Sequence, residues 1–400
     1  AAELIDWSQR MNGSGAAGAL AIDWPALMRF KRSFTEPVPQ ERERLLRDAG
    51  VETYHGVARF TDSTSIAVSG ETLRARNIVL ATGARPATLD LRGEERLITS
   101  TDFLDLENLP KRIVFIGGGY IAFEFAHLAA RAGARPVVLQ RGPRVLQGFE
   151  PTLVDRLVKI GKSVNVDVRV NVDVTAIEAH AESLRVNAAI DGKPFALDCD
   201  IAVHAAGRVP DLDQLALDAA GVERTEKGVA VNEFLQSRSN SNVYALGDCA
   251  DAGGLPLTPT ASAEGEIVAR NLIDGNRHTI DFAGLASIVY TIPSLGMTGL
   301  TEQRARAEGR RFTVRDGDAT QWYSARRLRA RASCYRVLVE DRSGLILGAH
   351  VLGPHTEELI NVFSLAIRAK ITATQLENVL FGYPTGSSDI AEMLESSGTS

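Results

Sequence analysis

The stretch RIVFIGGGYIAFEFA, residues 112–126, reads as a hydrophobic strand, a glycine turn and a helix, and its reading decides the fold. Gly117 and Gly119 permit a tight turn and let the backbone approach a pyrophosphate. Ala122 takes the third small position, where helix and strand pack closely. A helix starting near Tyr120, with Ile121 in its first turn, offers free N–H groups and a positive dipole end to phosphate oxygens. ARPVVLQ (134–140) supplies the second strand of a βαβ unit. Such a unit usually opens a dinucleotide-binding domain, yet more than a hundred residues precede it here.

The end of the second strand selects the cofactor. An acid there would bind the ribose 2′-hydroxyl of NAD, whereas arginines accommodate the 2′-phosphate of NADP. This chain places Gln140 at that point, with Arg141 and Arg144 just after, which favours NADP.

Working outward, AAELIDWSQRM (1–11) reads as a helix already under way, with no initiator methionine and no N-cap. The chain is therefore expected to have lost its beginning. Residues 23–49 have a charged helical pattern, with Pro25 near its start. Residues 54–83 alternate polar and apolar in short runs, as antiparallel strands do, and end in a buried-type strand at 77–81. Short β segments return over 164–206. NVYALGD (242–248) is a strand with a carboxylate at its end, and a helix follows from about Pro259. Beyond residue 282 come several strands, a hairpin over EDRSG (340–344) and an amphipathic helix over 357–370.

Length and composition set the outer bounds. Four hundred residues allow two or three domains, and 44% hydrophobic with 24% charged residues is a soluble globular composition. A net charge of -6 leaves no electrostatic footprint for nucleic acid. No apolar run approaches the roughly 18 residues of a membrane span. No signal peptide opens the chain, and three scattered cysteines are not a disulfide framework, so the expected location is the cytoplasm.

Four features occur in order: VLATGARP (79–86), GGGYIAFE (117–124), AAGRVPD (205–211) and NVYALGDCAD (242–251). As a set they resemble the flavin- and pyridine-nucleotide-dependent disulfide oxidoreductases, the family of glutathione reductase, lipoamide dehydrogenase and mercuric reductase. The resemblance implies an α/β fold with two nested Rossmann-like domains, an FAD domain interrupted by an NAD(P) domain, and a C-terminal α+β dimerisation domain. The corresponding boundaries are 1–107, 108–233, 234–281 and 282–400. It also accounts for what precedes residue 112, as the first FAD half. The family's opening glycine turn for FAD and its C-x-x-x-x-C redox pair do not occur in these residues.

The resemblance further implies residue roles. Val57 and Ala58 match the backbone that holds the FAD adenine, and Thr82 and Gly83 match the turn covering the flavin nucleotide. Asp248, after Gly247, matches the carboxylate that accepts hydrogen bonds from the ribityl hydroxyls. Thr258 is expected to cap the next helix, with Pro259 first inside it, aiming the positive helix end at the flavin. Tyr120 matches the aromatic lid over the nicotinamide pocket, and Glu124 the carboxylate beside the flavin. Gly207 and Arg208 match residues near the bound nicotinamide nucleotide. Partners implied are a small-molecule electron acceptor and a second copy of the chain.

Near the C-terminus the family commonly carries a histidine in an HPTxxE segment, which takes and returns a thiol proton. This chain reads FGYPTGSSDIAEML (381–394), with Tyr383 in place of the histidine and Ser388 in place of the glutamate. Tyrosine, with an ordinary pKa of about 10, is a poor proton acceptor at neutral pH. Mercuric reductases also carry a tyrosine in this region. Cys199, Cys249 and Cys334 read as structural, as do His127 and His204, while His350 and His355 flank a loop. The arginines of RRLRAR (326–331) read as a solvated strand edge. No cluster has metal-ligand spacing. The leading reading is a flavoprotein oxidoreductase of glutathione reductase type, passing hydride from NADPH through FAD to a disulfide or related acceptor. The alternatives are a flavin-only reductase of a quinone, oxygen or a metal ion, and a non-catalytic dimeric nucleotide-binding scaffold.

Overall fold

The structure is a computed structural model that describes residues 1–18 and 20–395. The chain forms helices α1 (Ala2–Met11), α2 (Trp24–Thr35) and α3 (Val38–Asp48). Strands β1 (Arg59–Asp62), β2 (Ser65–Val68), β3 (Glu71–Arg74), β4 (Ile78–Leu80) and β5 (Ala84–Pro86) follow. After α4 (Ser100–Leu104) come β6 (Arg112–Ile116), α5 (Tyr120–Arg131), β7 (Arg135–Leu139), α6 (Pro151–Ser163) and β8 (Asp167–Arg169). Strands β9 (Val172–His180), β10 (Ser183–Ile190), β11 (Lys193–Cys199), β12 (Ile201–His204) and β13 (Arg208–Pro210) continue the chain. Then come β14 (Arg224–Thr225), β15 (Gly228–Ala230), β16 (Val243–Ala245), β17 (Ala250–Asp251) and α7 (Thr258–Asp274). The last part holds β18 (Ala286–Val289), β19 (Ser294–Gly299), α8 (Glu302–Ala307), β20 (Phe312–Asp318) and α9 (Tyr323–Arg326). It closes with β21 (Cys334–Glu340), β22 (Ile346–Gly353), α10 (Thr356–Arg368), α11 (Ala373–Glu377) and α12 (Ile390–Leu394).

These elements make two compact units, residues 1–29, 89–206 and 283–400 in one, and 30–88 with 207–282 in the other. The first unit contains a parallel sheet in the order β12-β6-β7-β8. Ile113, Val114, Phe115 and Ile116 are all buried, the continuous apolar run expected of a strand covered on both faces. Helix α5 buries Ala122, Phe123, Ala126 and Ala129 in the same core, small residues alternating with Phe123 so that the helix lies close. The antiparallel sheet β11-β10-β9 and a five-stranded antiparallel sheet β18-β19-β22-β21-β20 complete the unit. Leu359, Ile360, Phe363 and Ala366 form the buried stripe of α10, which packs on β19 and β22.

The second unit holds the meander β1-β2-β3, the parallel pair β16-β4, the antiparallel pair β13-β5 and the sheet β14-β15-β17. Its core gathers Phe60, Leu80, Val229, Leu235, Val243, Ala245 and Val268.

Some expectations give way to the observed chain. The helical pattern over 23–49 is two helices, because Pro37 lacks an N–H and its ring obstructs the preceding turn. Helix α3 restarts with Pro37 as its N-cap. Strand β4 is three residues long, and Val79 is 40% exposed rather than buried. The arginine cluster is not a strand edge. It lies on α9 and the turn after it, where Arg331 pairs with the buried Asp6 and Arg329 bonds Ser14. His350 sits inside β22, fully buried, instead of flanking a loop. Among the described residues no helix is long and apolar enough to cross a membrane, and no group of three or more His, Cys, Asp or Glu could hold a metal ion.

Candidate functional site

The glycine turn between β6 and α5 is built by two different constraints. Gly117 has φ +110°, and a Cβ there would lie 2.2 Å from the Ala205 carbonyl oxygen. Only glycine fits. Gly119 is the N-cap of α5, with extended backbone and no side chain capping the helix, and a Cβ there would meet nothing within 4 Å. Among the described residues no side chain bonds the first-turn N–H groups, the arrangement that receives a phosphate. Substitution separates the two constraints. Gly117→Ala should destabilise the fold by at least about 2 kcal/mol, seen as a lowered Tm. Gly119→Ala should leave Tm unchanged and weaken dinucleotide binding by calorimetry, because its methyl group would enter the open space before the helix.

Gln140 takes a different job from the one its position suggests. Its Oε1 accepts the Gly118 N–H at 2.9 Å, so the side chain braces the glycine turn. Arg141 and Arg144, just beyond, are exposed, and among the described residues neither has a hydrogen-bond or ion-pair partner. Two uncommitted guanidiniums thus stand past the C-terminal end of β7.

One face of α5 carries the next group. The Tyr120 hydroxyl bonds the Ser287 hydroxyl at 2.6 Å, and its ring meets Phe149 edge-on at 5.4 Å. Glu124 Oε1 accepts the Tyr290 N–H at 3.0 Å. Burial pushes the Glu124 carboxyl above its usual range, with the Tyr290 N–H acting against the shift. Burial also raises the Tyr120 phenol, keeping it protonated. Ile121 is half-buried in the first turn of the same helix.

In the second unit, Thr82 and Gly83 link β4 to β5. Gly83 has φ +68° and open space where a Cβ would be, and its carbonyl accepts the Asp211 N–H at 3.0 Å. Arg208 donates to the Ala84 carbonyl, and Gly207 before it has φ +121°. These residues come together where β5 pairs with β13. Val57 and Ala58 lead into β1, with Val57 53% exposed. Asp248 lies in a 3-10 turn, Gly247–Cys249, past β16, half-buried, and among the described residues nothing donates a hydrogen bond to its carboxylate. Glu264 went unnoticed in the sequence. It is buried within α7 and accepts the Gly247 N–H at 2.6 Å, fixing the turn that carries Asp248. Burial pushes the Glu264 carboxyl up, against that hydrogen bond, and the nearby Asp248 charge adds to the rise.

Thr258 does not cap α7. Leu257 takes the extended N-cap conformation, so Thr258 is the first helical residue, Pro259 the second, and no side chain caps this end. A helix start left bare beside a carboxylate that lacks donors fits a ligand with both acceptor and hydroxyl groups, as a flavin nucleotide has. The residues around the α5 turn fit a dinucleotide by the same reasoning.

Tyr383 is 75% exposed, and its ring centre lies 6.0 Å from that of Tyr323, a neighbour that nothing in the sequence pattern marked. The Ser388 N–H donates to Thr385 Oγ1 at 3.2 Å, closing a local turn, and Asp389 accepts from the Ser324 hydroxyl. Neither is shown to orient Tyr383. The three cysteines are buried and unpaired, and burial pushes Cys199 up to about 12, far from a reactive thiolate.

Comparisons with known proteins bear on the family and the fold. Residues 11–265 match the family described as pyridine nucleotide-disulphide oxidoreductase, and residues 285–394 match its dimerisation domain. The chain is 32% identical over 375 residues to a dihydrolipoyl dehydrogenase of Bacillus subtilis, covering 92% of this chain and 78% of that protein. It is 30% identical over 370 residues to a glutathione reductase of Burkholderia cepacia, covering 92% and 81%. Among solved structures, the HOCl-induced flavoprotein disulfide reductase RclA from Escherichia coli shares the fold. That match has a TM-score of 0.86 and 23% identity, over 98% of this chain and 88% of that one.

Proposed function

The chain belongs to the pyridine nucleotide-disulphide oxidoreductase family, and from that premise we propose an NADPH-dependent flavoprotein reductase of a disulfide or related acceptor. The observation that carries the reading is the bare α5 N-terminus behind Gly117 and Gly119, with the uncommitted Arg141 and Arg144 at the end of the next strand. FAD, when bound, supplies the two-electron carrier between the nicotinamide and the acceptor.

This chain's own residues do the binding and positioning. The first-turn N–H groups of α5, including that of Ile121, hold the pyrophosphate of NADPH, and the two arginines hold its 2′-phosphate. Tyr120, anchored by Ser287, covers the nicotinamide pocket, while Gly207 and Arg208 contribute to the nucleotide's surroundings. Val57 and Ala58 hold adenine through their backbone, and Thr82 and Gly83 cover the flavin nucleotide. Asp248, set in place by Glu264 through Gly247, accepts ribityl hydroxyls, and the first turn of α7 from Thr258 faces the flavin edge. Glu124, its carboxyl raised by burial, would be the carboxylate that the family places beside the flavin. The segments 1–107 and 234–281 form the FAD domain, 108–233 the NAD(P) domain, and 282–400 the dimerisation domain that pairs two copies in the cytoplasm.

Tyr383 faces the electron acceptor. A phenol can donate a hydrogen bond, and here it stands in place of the histidine that the family commonly uses to take and return the thiol proton. In a protein that carries the family's redox cysteine pair ahead of these residues, NADPH should reduce the flavin normally, while turnover with glutathione disulfide should be slow, roughly a hundredfold below a histidine-assisted rate. Stopped-flow flavin reduction beside steady-state disulfide assays measures both. Rapid glutathione turnover at neutral pH would show that another group is the base.

A further inference from the structure

The face of α5 that carries Tyr120 and Glu124 continues as His127 and Arg131, and all four side chains reach one segment, residues 287–292. Beyond the Ser287 and Tyr290 bonds, His127 Nδ1 accepts the Ile292 N–H at 3.2 Å, and Arg131 Nη2 donates to the Ile292 carbonyl at 2.8 Å. Both polar backbone groups of Ile292 are thus held by α5. Arg131 also donates from Nη1 to His127 Nδ1 at 3.3 Å and from Nη2 to Asp6 Oδ1 at 3.0 Å. Nδ1 lies between two groups that can only donate, so it must be the acceptor and the ring proton sits on Nε2. Nε2 is buried and, among the described residues, has no hydrogen-bond partner. A leucine would avoid that cost, so the imidazole's contribution lies at Nδ1.

Up to Val289 the segment is held by the β18–β19 ladder, and Ser287, Val289 and Thr291 are buried, so the grip of α5 acts just beyond the strand, at Tyr290 and Ile292. The Tyr290 side chain is 61% exposed, so its ring does not anchor the backbone by burial. The anchor behind Arg131 is strong by contrast. Asp6 and Arg131 have side chains only 3% and 2% exposed, and Asp6 also meets Arg10 at 2.7 Å and Arg331 at 3.5 Å. Burial opposes ionisation of Asp6, but the Arg10 hydrogen bond and the charges of Arg131, Arg10 and Arg331 outweigh it and hold the carboxyl below its usual range.

We propose that His127 and Arg131 are positioning residues for the nicotinamide side of the site. By gripping Ile292 they fix the segment whose Tyr290 N–H holds the Glu124 carboxylate, and so keep Tyr120 and Glu124 in the arrangement that nucleotide binding needs. The inference rests on the function proposed above. If the grip is released, Glu124 loses its donor while remaining half-buried, and its carboxyl protonates more readily.

Three measurements on the FAD-loaded protein test this: hydrogen–deuterium exchange of peptides covering 287–293, NADPH affinity by calorimetry, and the pH dependence of flavin reduction. His127→Leu should speed exchange at Tyr290 and Ile292 by about tenfold and weaken NADPH binding by about five- to tenfold, the scale of one lost hydrogen bond. The acid limb of the pH profile should also move to higher pH. His127→Asn, which places a carbonyl oxygen near the position of Nδ1, should restore all three. Arg131→Lys keeps the charge facing Asp6 but cannot serve Asp6 and the Ile292 carbonyl together, so it should show the same changes in weaker form. It also keeps the test open if the leucine variant does not fold. Faster exchange with unchanged NADPH affinity and an unchanged pH profile would overturn the proposal and leave the reductase reading intact. Failure of the parent to bind NADPH would overturn both.

Discussion

NADPH should exceed NADH in kcat/KM by about a hundredfold, and Arg141→Ala should remove about tenfold of that preference. Charge-assisted contacts to a phosphate are worth roughly 1.5–3 kcal/mol each, and solvent screening of exposed guanidiniums brings each toward the lower figure. Arg141 and Arg144 are exposed and uncommitted, so they need break no ion pair to reach the phosphate. Gln140 adds no repelling charge, and its side chain is occupied at Gly118. Arg141→Ala should therefore lower kcat/KM for NADPH while leaving NADH almost unaffected, and removing Arg144 as well should bring the two near parity. Added salt should narrow the preference in the parent and not in the double variant. Equal use of both nucleotides by the parent would contradict the assignment.

The second large effect concerns stability in acid. Burial, aided by the Arg131 charge, pushes His127 down to about 3, and burial lowers His350 to about 4, helped by the Arg336 charge. In the unfolded chain both return to the ordinary value of about 6.5. Between those values the unfolded state binds protons that the folded state refuses. The stability each histidine contributes is therefore present above about pH 6.5 and lost as pH falls toward its folded value. At about 1.4 kcal/mol per pH unit, His127 alone costs roughly 2 kcal/mol between pH 7.5 and 5.0. Glu124, Glu150, Glu264 and Asp389, whose carboxyls burial raises, act in the opposite direction and favour the folded state on acidification. A difference measurement removes them. Denaturant unfolding of the parent and of His127→Asn should give a stability gap that is smaller at pH 5.0 than at pH 7.5 by about 2 kcal/mol. A gap that does not change with pH would show that His127 is not held neutral.

The parts of the fold with strong local signals were legible in the sequence. The apolar run 112–116, its glycines and the helix after them form β6, the turn and α5 where the pattern places them. The glycine whose position depends on a distant carbonyl, Gly117 against Ala205, could be marked as special but not explained, because the partner comes from another strand. Side-chain commitments were the hidden part. Gln140 reads only as standing where a ribose-binding acid would be, and it braces Gly118, while Glu264, which carries no signal in the sequence, holds Gly247. His127 read correctly as packed, but its grip on Ile292 depends on a segment more than a hundred and sixty positions away. The Thr258 cap failed for a local reason. Threonine before proline satisfies the capping pattern, yet the chain enters α7 one residue earlier, at Leu257. Near the C-terminus, Tyr383 could be placed by pattern, whereas its neighbour Tyr323 comes from α9 and no spacing rule connects the two.

The central claim is that this chain takes electrons from NADPH through a bound flavin. The most direct test is anaerobic addition of one equivalent of NADPH to the protein saturated with FAD and freed of excess, followed by flavin absorbance. The account predicts a yellow protein whose flavin band bleaches, more slowly in Arg141→Ala when NADPH is limiting. A protein that holds flavin but does not bleach would contradict it and favour a nucleotide-binding scaffold.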